Sequence, residues 1–283
     1  MLEVFFEMFS YSFLVRAFIV GVLVSICAAL LGVSLVLKRY SMIGNGLSHV
    51  GFGSLALATA LNMAPLGVAI PIVIAAAFLL LRLSENSKIK GDAAVALIST
   101  ASLALGVAII SQTTGMNTDV CNYLFGSILA MSKADVYLSI ALSAIVLLLF
   151  ILFYNKLFII TFDETFAKTS GIKTGLYNML IAFLTALTIV LGMRMMGAML
   201  ISSLIVFPAL SSMRLFKKFK SVTFCSAVIS IVCFFIGVVI SYLYAMPTGA
   251  SVVLVNILVF VLFWLTETLL NSRILNKYRE GKA

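Results

Sequence analysis

Runs of apolar residues long enough to cross a lipid bilayer recur along this chain from one end to the other, and few folds can accommodate them. A helix needs roughly 20 consecutive apolar residues to span the hydrocarbon core. About nine such segments stand out by hydropathy, at 13–37, 44–61, 66–83, 93–111, 136–154, 176–192, 195–213, 222–244 and 250–270. The runs are continuous, whereas the strands of a membrane barrel alternate apolar and polar residues. The sequence is 63% hydrophobic and only 10% charged, which leaves little chain for a water-soluble domain. The reading is therefore all-α: a polytopic transmembrane helical bundle of about 8–9 spans, with residues 1–283 forming a single membrane domain. No stretch resembles a cleaved secretory leader, since residues 1–10 carry Glu3 and Glu7 and no early Lys or Arg.

The formal net charge of +9 would suit a nucleic-acid binder if the cations shared one surface. They are confined instead to short loops, which the positive-inside rule explains, so no nucleic-acid partner is expected. Lys38 and Arg39, then Arg82, Lys88 and Lys90, then Lys156, Lys168 and Lys173, then Arg214, Lys217, Lys218 and Lys220 fall in alternate loops. The tail adds Arg273, Lys277, Arg279 and Lys282. All are cytoplasmic if the C-terminus is inside. The N-terminus then starts outside, with 1–12 a candidate surface-lying helix. The turns around 62–65 and 246–249 and the stretch 113–134 also fall outside, and Arg194 is the one exception. That outer stretch is long for a bundle connection, and 120–129 within it reads as a short helix at the outer mouth. Cys27, Cys121, Cys225 and Cys233 form no C-x-x-C pair, so neither a zinc finger nor a redox motif is present.

One titratable side chain interrupts the apolar sequence. His49 is the only histidine, in Ser41-Met42-Ile43-Gly44-Asn45-Gly46-Leu47-Ser48-His49. An ionisable residue within a membrane segment is a functional-site hypothesis by default, and histidine is the commonest side-chain metal ligand. Asn45 lies four residues earlier, so a helix puts both on one face. The pair reads either as half of a transient metal site or as a histidine bonded to a neighbouring carbonyl. Gly44, Gly46, Gly51 and Gly53 permit close packing or an interrupted helix.

Two other stretches carry signals. In 160–172, Asp163 or Glu164 suits a helix start and Gly171 a C-cap. The resulting short cytoplasmic helix is either a solvated turn or a docking element. In 197–209, Pro208 is expected to kink or end the helix. The nearby Met193, Met195, Met196 and Met199 read as core, with a Cu(I) site the minority alternative. Asp92 and Glu267 read as interfacial, and Asp92 also suits a cap of the fourth helix. No G-x-x-x-x-G-K-[ST] loop is present, so ATP hydrolysis is not expected on this chain. Nor is there an H-E-x-x-H or G-x-S-x-G hydrolase constellation.

In its order of motifs the chain resembles the integral-membrane permeases of bacterial metal-ion ABC importers, the zinc, manganese and iron group. The anchors are 30–39 leading into 41–49, then Asp92-Ala93-Ala94, Tyr123-Leu124-Phe125-Gly126, Phe162-Asp163 with Phe166-Ala167 and Gly171, Val206-Phe207-Pro208-Ala209 and Met246-Pro247-Thr248-Gly249-Ala250. The resemblance implies a homodimer in the lipid of the bacterial inner membrane, with the pathway between the two copies. It implies a cytoplasmic ATPase dimer docked on Phe162, Asp163, Glu164, Phe166, Ala167 and Gly171, and an extracellular metal-binding protein that delivers the ion. No cofactor is held permanently; a divalent metal ion is the substrate. The family motif is usually G-D-x-L-S-H, its Asp and His being transient metal ligands. Here His49 matches and Asn45 stands in place of the Asp. Loss of a carboxylate weakens Mn²⁺ more than a softer ion, which tilts the expected cargo slightly to zinc over manganese. The alternative cargo is iron, or a metal chelate or cobalamin-like molecule. A secondary carrier, the reading from another class, calls for paired ionisable residues in the membrane, and a scaffold would carry no flux.

Overall fold

The computed structural model describes residues 11–86, 91–113, 126 and 132–280. Ten helices are present among them. They are α1 (Ser12–Leu37), α2 (Ser41–Ala60), α3 (Pro65–Asn86), α4 (Gly91–Thr113), α5 (Lys133–Phe162), α6 (Glu164–Thr169), α7 (Thr174–Met196), α8 (Ala198–Leu215), α9 (Phe219–Tyr244) and α10 (Thr248–Glu280). The candidate surface helix at 1–12 and the outer-mouth helix at 120–129 lie almost wholly outside the described residues. So do Tyr123-Leu124-Phe125, Cys121, Lys88 and Lys90.

The nine long helices match the nine apolar segments. Seven of them are long and apolar enough to cross a membrane by length and composition. The other two have local reasons to fall short. α2 carries Gly44, Asn45, Gly46, Ser48 and His49, which lower its hydropathy, and α8 has only the short apolar run Leu200–Leu215.

Capping chemistry sets the helix ends. α1 closes with Arg39 at φ 61°, while Tyr40 N–H donates to Leu35 O at 2.8 Å and Arg39 N–H to Val36 O at 3.1 Å. This is a Schellman turn with a non-glycine residue in the left-handed position. α5 opens on a capping box: Ser132 Oγ accepts from Asp135 N–H at 3.2 Å, and Asp135 Oδ2 accepts from Ser132 N–H at 3.1 Å. α7 and α8 are separated by Gly197 alone, at φ 86° and ψ 160°, a region essentially closed to residues with a Cβ. That conformation places Met195 and Met196 in α7 and delays α8 to Ala198. Pro208 does not end α8, which continues to Leu215. Helices packed around a membrane proline tolerate the carbonyl it leaves unbonded. Asp92 sits within the first turn of α4, where its charge complements the helix dipole.

The helices pack with α1, α2, α7 and α8 innermost. Of their apolar windows, α1 is 67% and α7 72% buried, against 22% for α4. α2 packs against α3, α4, α7 and α8. Its crossing with α4 is built on two glycines: a Cβ on Gly53 would sit 2.8 Å from Ser102 O, and one on Gly106 would sit 3.0 Å from Gly53 Cα. The outer faces of α4, α5 and α10 expose Leu97, Leu148, Ile151 and Leu258, the reverse of a water-soluble surface. The chain is a multi-pass membrane protein.

Candidate functional site

α2 positions both candidate ligands. Asn45 is exposed, His49 one turn on is half-buried, and Met42 one turn back is exposed, so one stripe of this otherwise enclosed helix is left uncovered by its own chain. His49 Nδ1 is buried without a hydrogen-bond partner among the described residues. Ser48 faces elsewhere: its Oγ donates to Asn45 O at 2.7 Å and accepts from Ser202 Oγ of α8 at 3.3 Å. It pins α2 to α8 rather than joining the Asn45 and His49 face. Among the described residues no group of three His, Cys, Asp or Glu side chains gathers to hold a metal. One chain therefore offers two neutral donors, an amide oxygen and an imidazole. At the foot of α2 a cavity of about 180 Å³ is lined by Arg39, Tyr40, Met42, Ser84 and Asp92, among others.

The short helix α6 is a second structured region. Asp163 caps it, its Oδ1 accepting from Phe166 N–H at 2.9 Å. Gly171, at φ 78°, ends it, with Ile172 N–H donating to Ala167 O at 3.0 Å. Ala167 is buried, whereas Phe166 and the last residue of α5, Phe162, are exposed. Glu164 turns inward. Its Oε2 meets Lys38 Nζ at 3.4 Å, and its Oε1 meets Lys168 Nζ at 3.2 Å and Asn178 Nδ2 at 3.4 Å. Lys38 Nζ also donates to Asn178 Oδ1. Burial pushes the Glu164 carboxyl up, but Lys38 and the hydrogen bonds from Lys168, Asn178 and Lys38 outweigh it and hold the group below its ordinary range. The end of α1, the start of α7 and α6 thus meet at one end of the bundle, the end assigned to the cytoplasm from charge.

The sequence of these motifs has relatives. The ABC 3 transport family matches residues 10–267. The chain belongs to that family. A manganese transport system membrane protein of Halalkalibacterium halodurans is 27% identical over 98% of this chain and 94% of its own length. A high-affinity zinc uptake system membrane protein of Haemophilus influenzae is 30% identical over 89% of this chain and 97% of its own. Among solved structures, PsaBC from Streptococcus pneumoniae, determined with a Fab, superposes with a TM-score of 0.84 and 30% identity, covering 93% of this chain and 95% of that one. The family resemblance read from motif order holds at this level.

Two members of the methionine group have described side chains, and both pack as core. Met193 and Met196 are buried, Met193 filling the space above Gly51, and the side chains of Met195 and Met199 lie outside the described residues. Glu267 pairs with Arg214 at 3.0 Å, as suits an interfacial carboxylate. Sequence reasoning missed Lys38 and Asn178 as site residues. Lys38 counted only as a positive-inside cation, and nothing local in the sequence ties it to Glu164, 126 residues away.

Proposed function

We propose that this chain is the membrane permease of an ATP-driven importer for divalent transition-metal ions, with two copies lining the pathway at Asn45 and His49. The observation that carries the reading is the uncovered stripe of Asn45 and His49 on a helix otherwise held by its neighbours. Two donors from each of two copies make four, the number that zinc takes in tetrahedral sites. Such a site of neutral donors binds weakly enough to release its ion, which conduction demands. An extracellular metal-binding protein hands the ion to the outer mouth. Histidine ligates only when neutral, so acid that protonates His49 lowers uptake. A separate ATPase chain docks on α6, where Phe162 and Phe166 offer exposed aromatic anchors beside the capped helix. Relatives named for manganese and for zinc are about equally similar, so family membership leaves the metal open. The neutral amide of Asn45 favours zinc over manganese.

The test is uptake of radiolabelled Zn²⁺, Mn²⁺ and Fe²⁺ by the complex reconstituted with its ATPase and binding protein. His49→Ala abolishes ATP-dependent uptake with the complex intact, and Asn45→Asp shifts the preference toward Mn²⁺. Uptake indifferent to both changes refutes the pathway assignment. Uptake of Fe²⁺ alone refutes the zinc preference.

A further inference from the structure

Lys38 lies between the two candidate regions. It is the C-cap of α1, and its side chain is only 6% exposed although it carries an ammonium. A buried ammonium is tolerated only while paired, since removing its counter-charge leaves the desolvation cost unopposed. Lys38, Glu164 and Asn178 form a closed triangle. Glu164 on α6 supplies the charge, and the Asn178 amide on α7 accepts from Lys38 through Oδ1 while donating to Glu164 through Nδ2. The amide orientation is thereby fixed by both neighbours. Lys38 is equally committed on its other side. It is joined to α2 through Arg39 alone in the left-handed conformation, and its Nζ lies 5.8 Å from the ring centroid of Tyr40, the residue that opens α2. Asn45 and His49 follow within the next turns of that helix.

We propose that Lys38 is a positioning residue for transport, whose ion pair with Glu164 makes the foot of α2 follow any displacement of α6. The inference rests on the reading of α6 as the ATPase docking helix. When α6 shifts, the buried ammonium must travel with the carboxylate or lose the Glu164 ion pair. The α1–α2 turn is short and hydrogen-bonded, with Tyr40 N–H donating to Leu35 O and Arg39 N–H to Val36 O. Energetic coupling between distant sites requires an element that both sites bias between two positions, and on this proposal α2 is that element. The exposed pair of Lys168 with Glu164, by contrast, is within one turn of α6 and transmits nothing beyond it.

The experiment uses the whole complex, purified through a tag on this chain and reconstituted in vesicles, with Zn²⁺ and Mn²⁺ as probes. Three quantities are read: ATPase chain retained, ATP hydrolysed and ion imported. Lys38→Met is expected to keep the ATPase chain and ATP hydrolysis while ions imported per ATP fall about tenfold, within the range of a single coupling contact. Lys38→Arg retains part of the ratio, and the charge exchange Lys38→Glu with Glu164→Lys recovers more of it than either single exchange. A merely stabilising role would lower both hydrolysis and import together and leave their ratio alone. An unchanged ratio in Lys38→Met, or no recovery in the exchange, overturns the proposal. If Lys38→Met does not assemble, Glu164→Gln tests the same link from its half-exposed end, and an unchanged ratio there overturns it equally. Phe166→Asp separates the underlying reading: loss of the ATPase chain supports docking on α6, whereas full retention refutes docking whatever Lys38 does.

Discussion

Gly53→Ala tests the close crossing on which the position of α2 depends. The added Cβ would lie 2.8 Å from Ser102 O, about 0.6 Å short of ordinary contact at 3.4 Å. The obstacle is backbone, so no side chain can swing away and α2 must retreat from α4. Overpacking of this kind costs about 1–3 kcal/mol. Alanine returns about 0.5–1 kcal/mol by restricting the unfolded chain and favouring the helix. The net expectation is a loss of about 0–2.5 kcal/mol, centred on a few degrees in the unfolding midpoint at this chain length. Gly175→Ala in the first turn of α7 is the control, because nothing lies within 4 Å of its Cβ. It should leave the midpoint unchanged or raise it slightly. Gly106→Ala meets the Phe52 ring at 2.6 Å and Gly53 Cα at 3.0 Å. Both substitutions press on the same crossing, so together they should cost less than their sum. The assay is thermal unfolding of the purified complex in one detergent, alongside metal uptake, which should fall with Gly53→Ala because His49 sits one turn away. A midpoint that rises for Gly53→Ala as it does for Gly175→Ala would refute the crossing.

Two further outcomes follow from the same geometry. The lowered carboxyl of Glu164 means that its pairing stabilises the fold fully above the ordinary value of 4.5 and loses that effect as pH falls through the depressed folded value. The difference in unfolding midpoint between wild type and Glu164→Gln should hold steady through neutral pH and close in acid below 4.5; a difference that widens on acidification contradicts the pairing. At the α7–α8 junction, Gly197→Ala forces a Cβ into φ 86° and ψ 160°, at a cost of about 1–3 kcal/mol, measurable as a lower midpoint. No change there would mean that the junction relaxes freely.

Helix content, the membrane location and the caps of α6 were legible in the sequence because each depends on neighbours within a few positions. Apolar runs need bilayer length, Asp163 reaches Phe166 N–H three residues on, and Gly171 alone supplies the left-handed turn. The shared face of Asn45 and His49 follows from helical spacing by the same logic. The exact opening of α8 was not legible: hydropathy begins the segment at 195, and the Gly197 backbone angle sets the start at Ala198. Pro208 pointed to a kink or an end of the helix, and the end does not occur there. Which way Ser48 points depends on α8 lying against α2, so that Ser202 meets it at 3.3 Å. Lys38 shows the division most plainly. Its charge and its place after an apolar run put it at the end of a span, a matter of transfer free energy that sequence alone decides. Its burial against Glu164 and Asn178 arises only when helices 126 and 140 residues away fold back beside it, because the pairing energy depends on three-dimensional distance, which no local pattern encodes.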